Sequence, residues 1–126
     1  MTRRAHHDLV AWQQGMALVV VIYQLTATFP DTERFALASQ MQRAAVSIPS
    51  NIAEGAGRSG SKEFLRFLYI ARGSLSELET QCLIAERLGY MSNMEQVSEL
   101  MNRLFGLIGG LIRTMQDGAH PSEATQ

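Results

Sequence analysis

Leu18-Val19-Val20-Val21-Ile22 decides the fold, because five apolar residues in a row, three of them valine, suit a strand as well as a helix. The flanks resolve the ambiguity. Trp12, Met16, Val19, Tyr23 and Thr26 recur at the alternating four-and-three spacing of a helix-bundle seam. Leu18, Ile22, Leu25 and Phe29 form a second helical row on another face. Helical spacing sustained over some twenty residues predicts a helix over about 8–28, with the pentad apolar all the way round. Such a helix must be covered on more than one side. In a four-helix bundle, three companions supply only part of that cover, and another subunit has to supply the rest.

Working outward, Phe29-Pro30-Asp31-Thr32 is the first break. Asp31 or Thr32 is expected to cap a second helix over about 33–55. Leu37, Met41, Ala44, Ala45, Ile48 and Ile52 form its apolar stripe. A polar stripe runs beside it, made of Gln40, Arg43, Ser47, Asn51 and Glu54, all within an arc of roughly 80° at 100° per residue. Pro49 lies inside this helix and is expected to kink it, since it cannot donate to the Ala45 carbonyl. Both stripes continue in phase across the proline, which argues for one helix.

Gly55-Ala56-Gly57-Arg58-Ser59-Gly60-Ser61 is the second break, and Leu88-Gly89-Tyr90-Met91-Ser92-Asn93 the third. Between them a third helix is expected over 61–88. Its seam is Phe64, Leu68, Ala71, Leu75, Leu78, Cys82 and Ala85, and Gly89 is its C-terminal cap. Ser92-Asn93-Met94-Glu95 reads as a capping box opening a fourth helix over 93–116. Val97, Met101, Leu104, Ile108, Leu111 and Met115 form its stripe. Gly106, Gly109 and Gly110 in that helix are expected to admit a neighbouring helix closely. A loose tail is expected over 118–126. Rods of similar length joined by short turns predict an all-α fold, an antiparallel up-down-up-down four-helix bundle with a Pro-kinked second helix, in a single domain over 1–126.

Composition agrees with this class. The chain has 126 residues, 46% hydrophobic and 18% charged, with a formal net charge of −1. That suffices for a core and makes wholesale disorder unexpected. One cysteine excludes an intrachain disulfide framework. No apolar run is long enough for a membrane span, and no signal peptide is indicated, so a cytoplasmic protein is expected.

The motifs that could carry chemistry are few. Di-iron bundles need Glu-x-x-His motifs. None exists, and His6, His7 and His120 all lie in terminal segments. No metal site and no cofactor are expected. Cys82 takes a seam position with no histidine in the body of the fold to activate it, so an inert thiol is expected. Gly55–Lys62 approaches the phosphate-loop pattern, but its order is Gly-Ser-Lys and no strand precedes it, which excludes a nucleotide triphosphatase. A glycine-rich turn leading into a helix is the plainer reading, with an anion contact at Arg58 and Lys62 as the functional one.

Charge is unevenly spread. Residues 40–72 hold Arg43, Arg58, Lys62, Arg66 and Arg72 against Glu54 and Glu63, whereas acidic side chains outnumber basic ones over 73–126. The central basic block is the candidate for nucleic-acid or anion contact. The polar stripe of the second helix could line a ligand site. The preferred reading is structural, a network of Gln40, Arg43, Ser47, Asn51 and Glu54 with Arg72, Glu77 or Glu79 of the third helix. Glu77 and Glu79 point about 200° apart and cannot act as one acid–base pair.

The run Arg43-Ala44-Ala45-Val46-Ser47-Ile48-Pro49-Ser50-Asn51-Ile52-Ala53-Glu54-Gly55, followed by Phe64-Leu65-Arg66-Phe67-Leu68-Tyr69-Ile70-Ala71-Arg72-Gly73-Ser74, resembles the bacterial 23S rRNA intervening-sequence protein family. The resemblance extends from Leu9-Val10-Ala11-Trp12-Gln13 through Gly89-Tyr90 into the fourth helix. It implies an antiparallel four-helix bundle assembled as a ring of five. The family name records where some members are encoded, inside sequences interrupting large-subunit rRNA genes. The similar accessory proteins of diversity-generating retroelements contact nucleic acid through basic surfaces. The expectation is a non-enzymatic homo-oligomer, pentameric by that resemblance, serving as an assembly or adaptor module. The alternative is a nucleic-acid-binding accessory protein that uses the central basic block. No membrane partner is expected.

Overall fold

A computed structural model of the chain describes residues 3–118. After a single 3-10 turn at Ala5–Asp8 come four helices: α1 (Val10–Thr26), α2 (Leu37–Ala56), α3 (Ser61–Arg87) and α4 (Glu95–Gln116). No strand occurs among the described residues. Each helix packs against its neighbours in sequence, and α4 closes back onto α1. The contacts run antiparallel. Gly15 of α1 meets Pro49 of α2, whereas Thr26 meets Gln42. Gly55 of α2 lies against Phe64 and Phe67 of α3, whereas Ser47 meets Ser74. The fold is the expected four-helix bundle, and one core runs along its length.

Three seams lie as periodicity places them. All seven expected seam residues of α3 are buried. In α2, Met41, Ala44, Ala45, Ile48 and Ile52 are buried, and Leu37 is half-buried at the entrance. In α4 the buried row is Val97, Met101, Leu104, Ile108, Ile112 and Met115, with Ile112 in place of the half-buried Leu111. In α1 the two rows exchange roles. Leu18, Ile22 and Phe29 of the second row are buried together with Ala11, Gly15 and Thr26. Most of the row read as the seam is turned away instead, with Met16 and Tyr23 exposed and Trp12 and Val19 half-buried, and only its last member, Thr26, is buried. Spacing sets the angle between rows but not which row meets the core. On the face that does meet it, Gly15 rests on the Pro49 ring, and an added Cβ would lie 3.4 Å from Pro49 Cβ, an ordinary packing distance.

Helix ends correct several expectations. Asp31 and Thr32 do not cap α2; they form a 3-10 turn, Asp31–Glu33, and α2 starts at Leu37. Ala36 departs from helical dihedrals (φ −122°, ψ −106°), and the Glu33 carboxylate accepts the Leu37 N–H at 3.5 Å. The expected capping box before α4 does not form. Asn93 accepts the Glu95 N–H through its side chain at 3.3 Å, and Ser92 gives no side-chain cap. Gly89 behaves as read. It takes φ +81°, and the Tyr90 N–H reaches the Ala85 carbonyl at 2.9 Å while the Gly89 N–H reaches Glu86 at 3.0 Å, the paired closure of a Schellman turn. Helix α2 runs unbroken through Pro49. Among the described residues, the glycines of α4 do not admit a neighbouring helix. A Cβ at Gly106 would meet nothing within 4 Å, and Cβ atoms at Gly109 and Gly110 would meet only the Arg113 side chain. Of the expected tail, only Gly118 falls among the described residues.

Close approach occurs at Gly55 instead, where an added Cβ would lie 2.6 Å from a Phe64 ring carbon and 2.8 Å from Phe67 Cβ. Gly73, on the outer face of α3, has nothing within 4 Å. Denaturant unfolding should therefore separate two nominally identical changes. Gly55→Ala should destabilise by about 1–3 kcal/mol through overpacking. Gly73→Ala should stabilise by ~0.5–1 kcal/mol through helix propensity.

Candidate functional site

Helix α1 contains no charged residue in its 17 positions. The other three helices all carry charges on their outer faces. The core takes only the Leu18–Ile22 side of α1. Outside it lie Val20 at 56% exposure, Tyr23 at 47%, Met16 at 46% and Val10 at 44%. A surface helix normally presents charged groups to water on that side. Here the outward positions are apolar or glutamine, and Val20 of the apolar pentad is the most exposed of its large residues.

This face continues into the furrow between α1 and α2. Trp12, Met16 and Val19 form one wall, and Val46, Pro49, Ser50 and Ala53 form the other, around about 330 Å³ with no charged residue in the lining. Further along, Tyr23, Ser39, Gln42, Arg43, Val46 and Ser47 line the next hollow. At the α1–α2 turn a third hollow is bordered by Phe29, Pro30, Arg34 and Phe35. Phe35 is 88% exposed, the most exposed large apolar side chain among the described residues. Its ring carries the Arg34 guanidinium at 5.2 Å.

The polar stripe of α2 divides. Ser47 and Asn51 meet α3 through Ser74. The Ser47 and Ser74 hydroxyls are 2.8 Å apart, and the Asn51 amide donates to the Ser47 carbonyl at 2.8 Å and to its hydroxyl at 2.9 Å. Gln40 and Arg43 are exposed, and Glu54 pairs with Arg58 at 2.7 Å. The α3 partners proposed from sequence lie elsewhere. Arg72 stacks over the Tyr69 ring at 5.1 Å, Glu77 accepts a hydrogen bond from Gln81 at 3.4 Å, and Glu79 lies close enough to Cys82 to affect its ionisation. Ser74 has no place in the network expected from sequence. Its signal is weak, because a lone serine one helical turn from Ala71 looks like any solvated position. Gln81 was missed as well. It is buried, and its side-chain oxygen finds no hydrogen-bond partner among the described residues.

The five basic residues of the central block are all exposed. Arg58 and Arg66 converge on Phe67, their guanidinium carbons 5.3 and 4.5 Å from its ring centroid. Each also has an acidic neighbour, Glu54 for Arg58 and Glu63 for Arg66 at 3.5 Å. Lys62 lies one helical turn before Arg66. Arg43 sits apart, on the α2 wall of the hollow next to the furrow.

The N-terminal histidines gather on an aromatic residue. The His6 and His7 rings lie 5.1 and 5.2 Å from Trp12, and His7 Nδ1 accepts the Arg4 N–H at 3.0 Å. Burial holds the His6 pKa below its ordinary value, with His7 and Arg4 adding charge repulsion. Among the described residues no three His, Cys, Asp or Glu side chains are grouped to hold a metal ion, and His120 lies outside them. No helix among these residues is long and apolar enough to cross a membrane.

These features define a class: a helical bundle with an uncharged, partly uncovered first helix and a basic turn between its second and third. The 23S rRNA-intervening sequence protein family matches residues 7–112, and the chain belongs to that family. A solved protein of unknown function from the S23 ribosomal protein family of Bacteroides thetaiotaomicron shares the fold. Its TM-score is 0.76 at 20% identity, over 87% of this chain and 99% of the other. Curated proteins give no match.

Burial, reinforced by the charge of Glu79, pushes the Cys82 thiol up to about 12 from 9.0. The folded state thus holds the thiol proton more tightly than the unfolded chain does. Its contribution to stability is complete below pH 9 and is lost as pH rises from there towards about 12. Thiol labelling at pH 8 should be slow in the native protein and fast in denaturant. Denaturation midpoints between pH 9 and 11 should fall less steeply in Cys82→Ala than in the parent.

Proposed function

We propose that the protein is a non-enzymatic homo-oligomer that acts as an assembly or adaptor module, with the outer face of α1 buried between copies. The observation that carries this reading is the uncharged α1 with Val10, Met16, Val20 and Tyr23 turned to water. Apolar area of this kind, contiguous with the furrow against α2, is what marks an association surface. Membership in the intervening-sequence protein family, through the resemblance described above, supports a ring of five. Light scattering tests it directly: the parent should exceed the 14.0 kDa of one chain. Val20→Glu should lower the assembled mass, because it would place an unpaired charge in the interface. Glu99→Lys, on an exposed position of α4, should leave it unchanged. A monomeric parent, or equal assembly of both variants, would remove the reading.

A second reading is nucleic-acid contact by Arg43, Arg58, Lys62, Arg66 and Arg72. Two guanidinium groups converging on Phe67 beside Lys62 favour it, since a phosphate there would relieve their mutual repulsion. Ribosomal RNA fragments titrated across a salt series should show log affinity falling linearly with log salt, by about 0.7–0.9 per phosphate contacted. Lys62→Gln should make that slope shallower by about one contact. Absence of binding at low salt would leave assembly alone.

A further inference from the structure

We propose that Phe35 of one copy inserts into the α1–α2 furrow of the next. The proposal rests on the assembly reading above and names the contact that would build it. Phe35 stands in the turn between α1 and α2, two positions before Leu37, and is 88% exposed. An aromatic ring held almost wholly in water is out of keeping with its chemistry unless something receives it. Its own chain offers a fitting receptacle, the furrow of Trp12, Met16, Val19, Val46, Pro49 and Ala53.

Three properties match the two. The furrow lining is uncharged and chiefly apolar. Its volume is about 330 Å³, and a cavity of about 150 Å³ already accepts benzene. Finally, Phe35 cannot reach this furrow in its own chain. From Leu37 to Val46, where the furrow begins, α2 rises ~13 Å, and Pro49 and Ala53 lie further along the same helix. The occupant must come from elsewhere, and a second copy always brings one. Knob and furrow are different parts of the surface, so the contact can be repeated from copy to copy until a ring closes. Arg34, already stacked on one side of the ring, would remain at the rim.

The test uses the full chain with two substitutions, Phe35→Ala and Ala53→Trp, the latter filling the furrow. Circular dichroism melts first confirm that both variants fold. Phe35 is so exposed within one chain that its removal should leave the helical signal intact. Light scattering over a concentration series should then show each variant needing at least tenfold more protein to assemble. Mixing them is decisive. The Phe35→Ala copy keeps an open furrow and the Ala53→Trp copy keeps its knob, so an equimolar mixture should form a complex of twice the chain mass that grows no further. Phe35→Leu should assemble better than Phe35→Ala. If the parent assembles and Phe35→Ala assembles equally well, the knob is wrong and the assembly reading stands. If Ala53→Trp alone assembles normally, the furrow is wrong. A parent that is monomeric at all concentrations overturns both readings.

Discussion

A helix in a four-membered bundle can turn only one strip of its surface towards the common core, and α1 carries apolar side chains on more than one. Everything distinctive about this protein follows from that constraint. Leu18 and Ile22 take the inner position and are fully buried against the other helices. Val20 and Met16 are then turned outward by the geometry of a helix with 3.6 residues per turn. No rotation of α1 shelters both groups, and no charge on the helix makes the outer side comfortable in water. Gly15 lies on the inner strip and rests on the Pro49 ring.

The other helices are arranged around more ordinary chemistry. Helices α2 and α3 meet most intimately near the turn that joins them, where Gly55 leaves room for Phe64 and Phe67. The same place collects Arg58 and Arg66 above Phe67, so that a packing contact also organises a basic surface. Midway along the pair, Ser47, Asn51 and Ser74 satisfy one another across the interface. At the far end, the Tyr90 hydroxyl donates to Glu33 at 2.9 Å and the Tyr90 ring packs on Phe29, tying the α3–α4 turn to the α1–α2 turn. Glu33 holds the Tyr90 hydroxyl proton and raises its pKa, with burial adding to the effect. Through the Leu37 N–H the same carboxylate also steadies the start of α2.

The assembly reading and the basic surface occupy different parts of the molecule. The uncovered apolar face of α1 continues into its furrow with α2, and α3 with its C-cap exposes Ile70, Leu83, Ile84 and Leu88 elsewhere, while Arg58, Lys62 and Arg66 gather around the α2–α3 turn. Association through the first would repeat the second around the assembly without covering it. Arg43 is the member of the basic block that comes nearest the furrow, since it lines the adjoining hollow. The proposed adaptor and nucleic-acid roles are therefore physically compatible, and in any assembly several modest basic clusters would act together where one would bind weakly.

Residue order alone determined the number of helices, their approximate limits, the buried rows of α2 and α3 and that of α4 as far as Ile108, the cap at Gly89 and the passage of α2 through Pro49. Each is written in spacing or in the backbone chemistry of one residue, and neither needs a neighbour to be read. Tertiary structure decided what depends on two segments at once. It selected which row of α1 faces the core, since two rows of equal periodicity are separated only by what packs against them. It paired Ser47 with Ser74 rather than with Arg72, Glu77 or Glu79, because side-chain partners across an interface depend on helix rotation and register. It also placed the open glycines of α4 away from every neighbouring helix, for a glycine permits close approach but cannot bring a second helix to it.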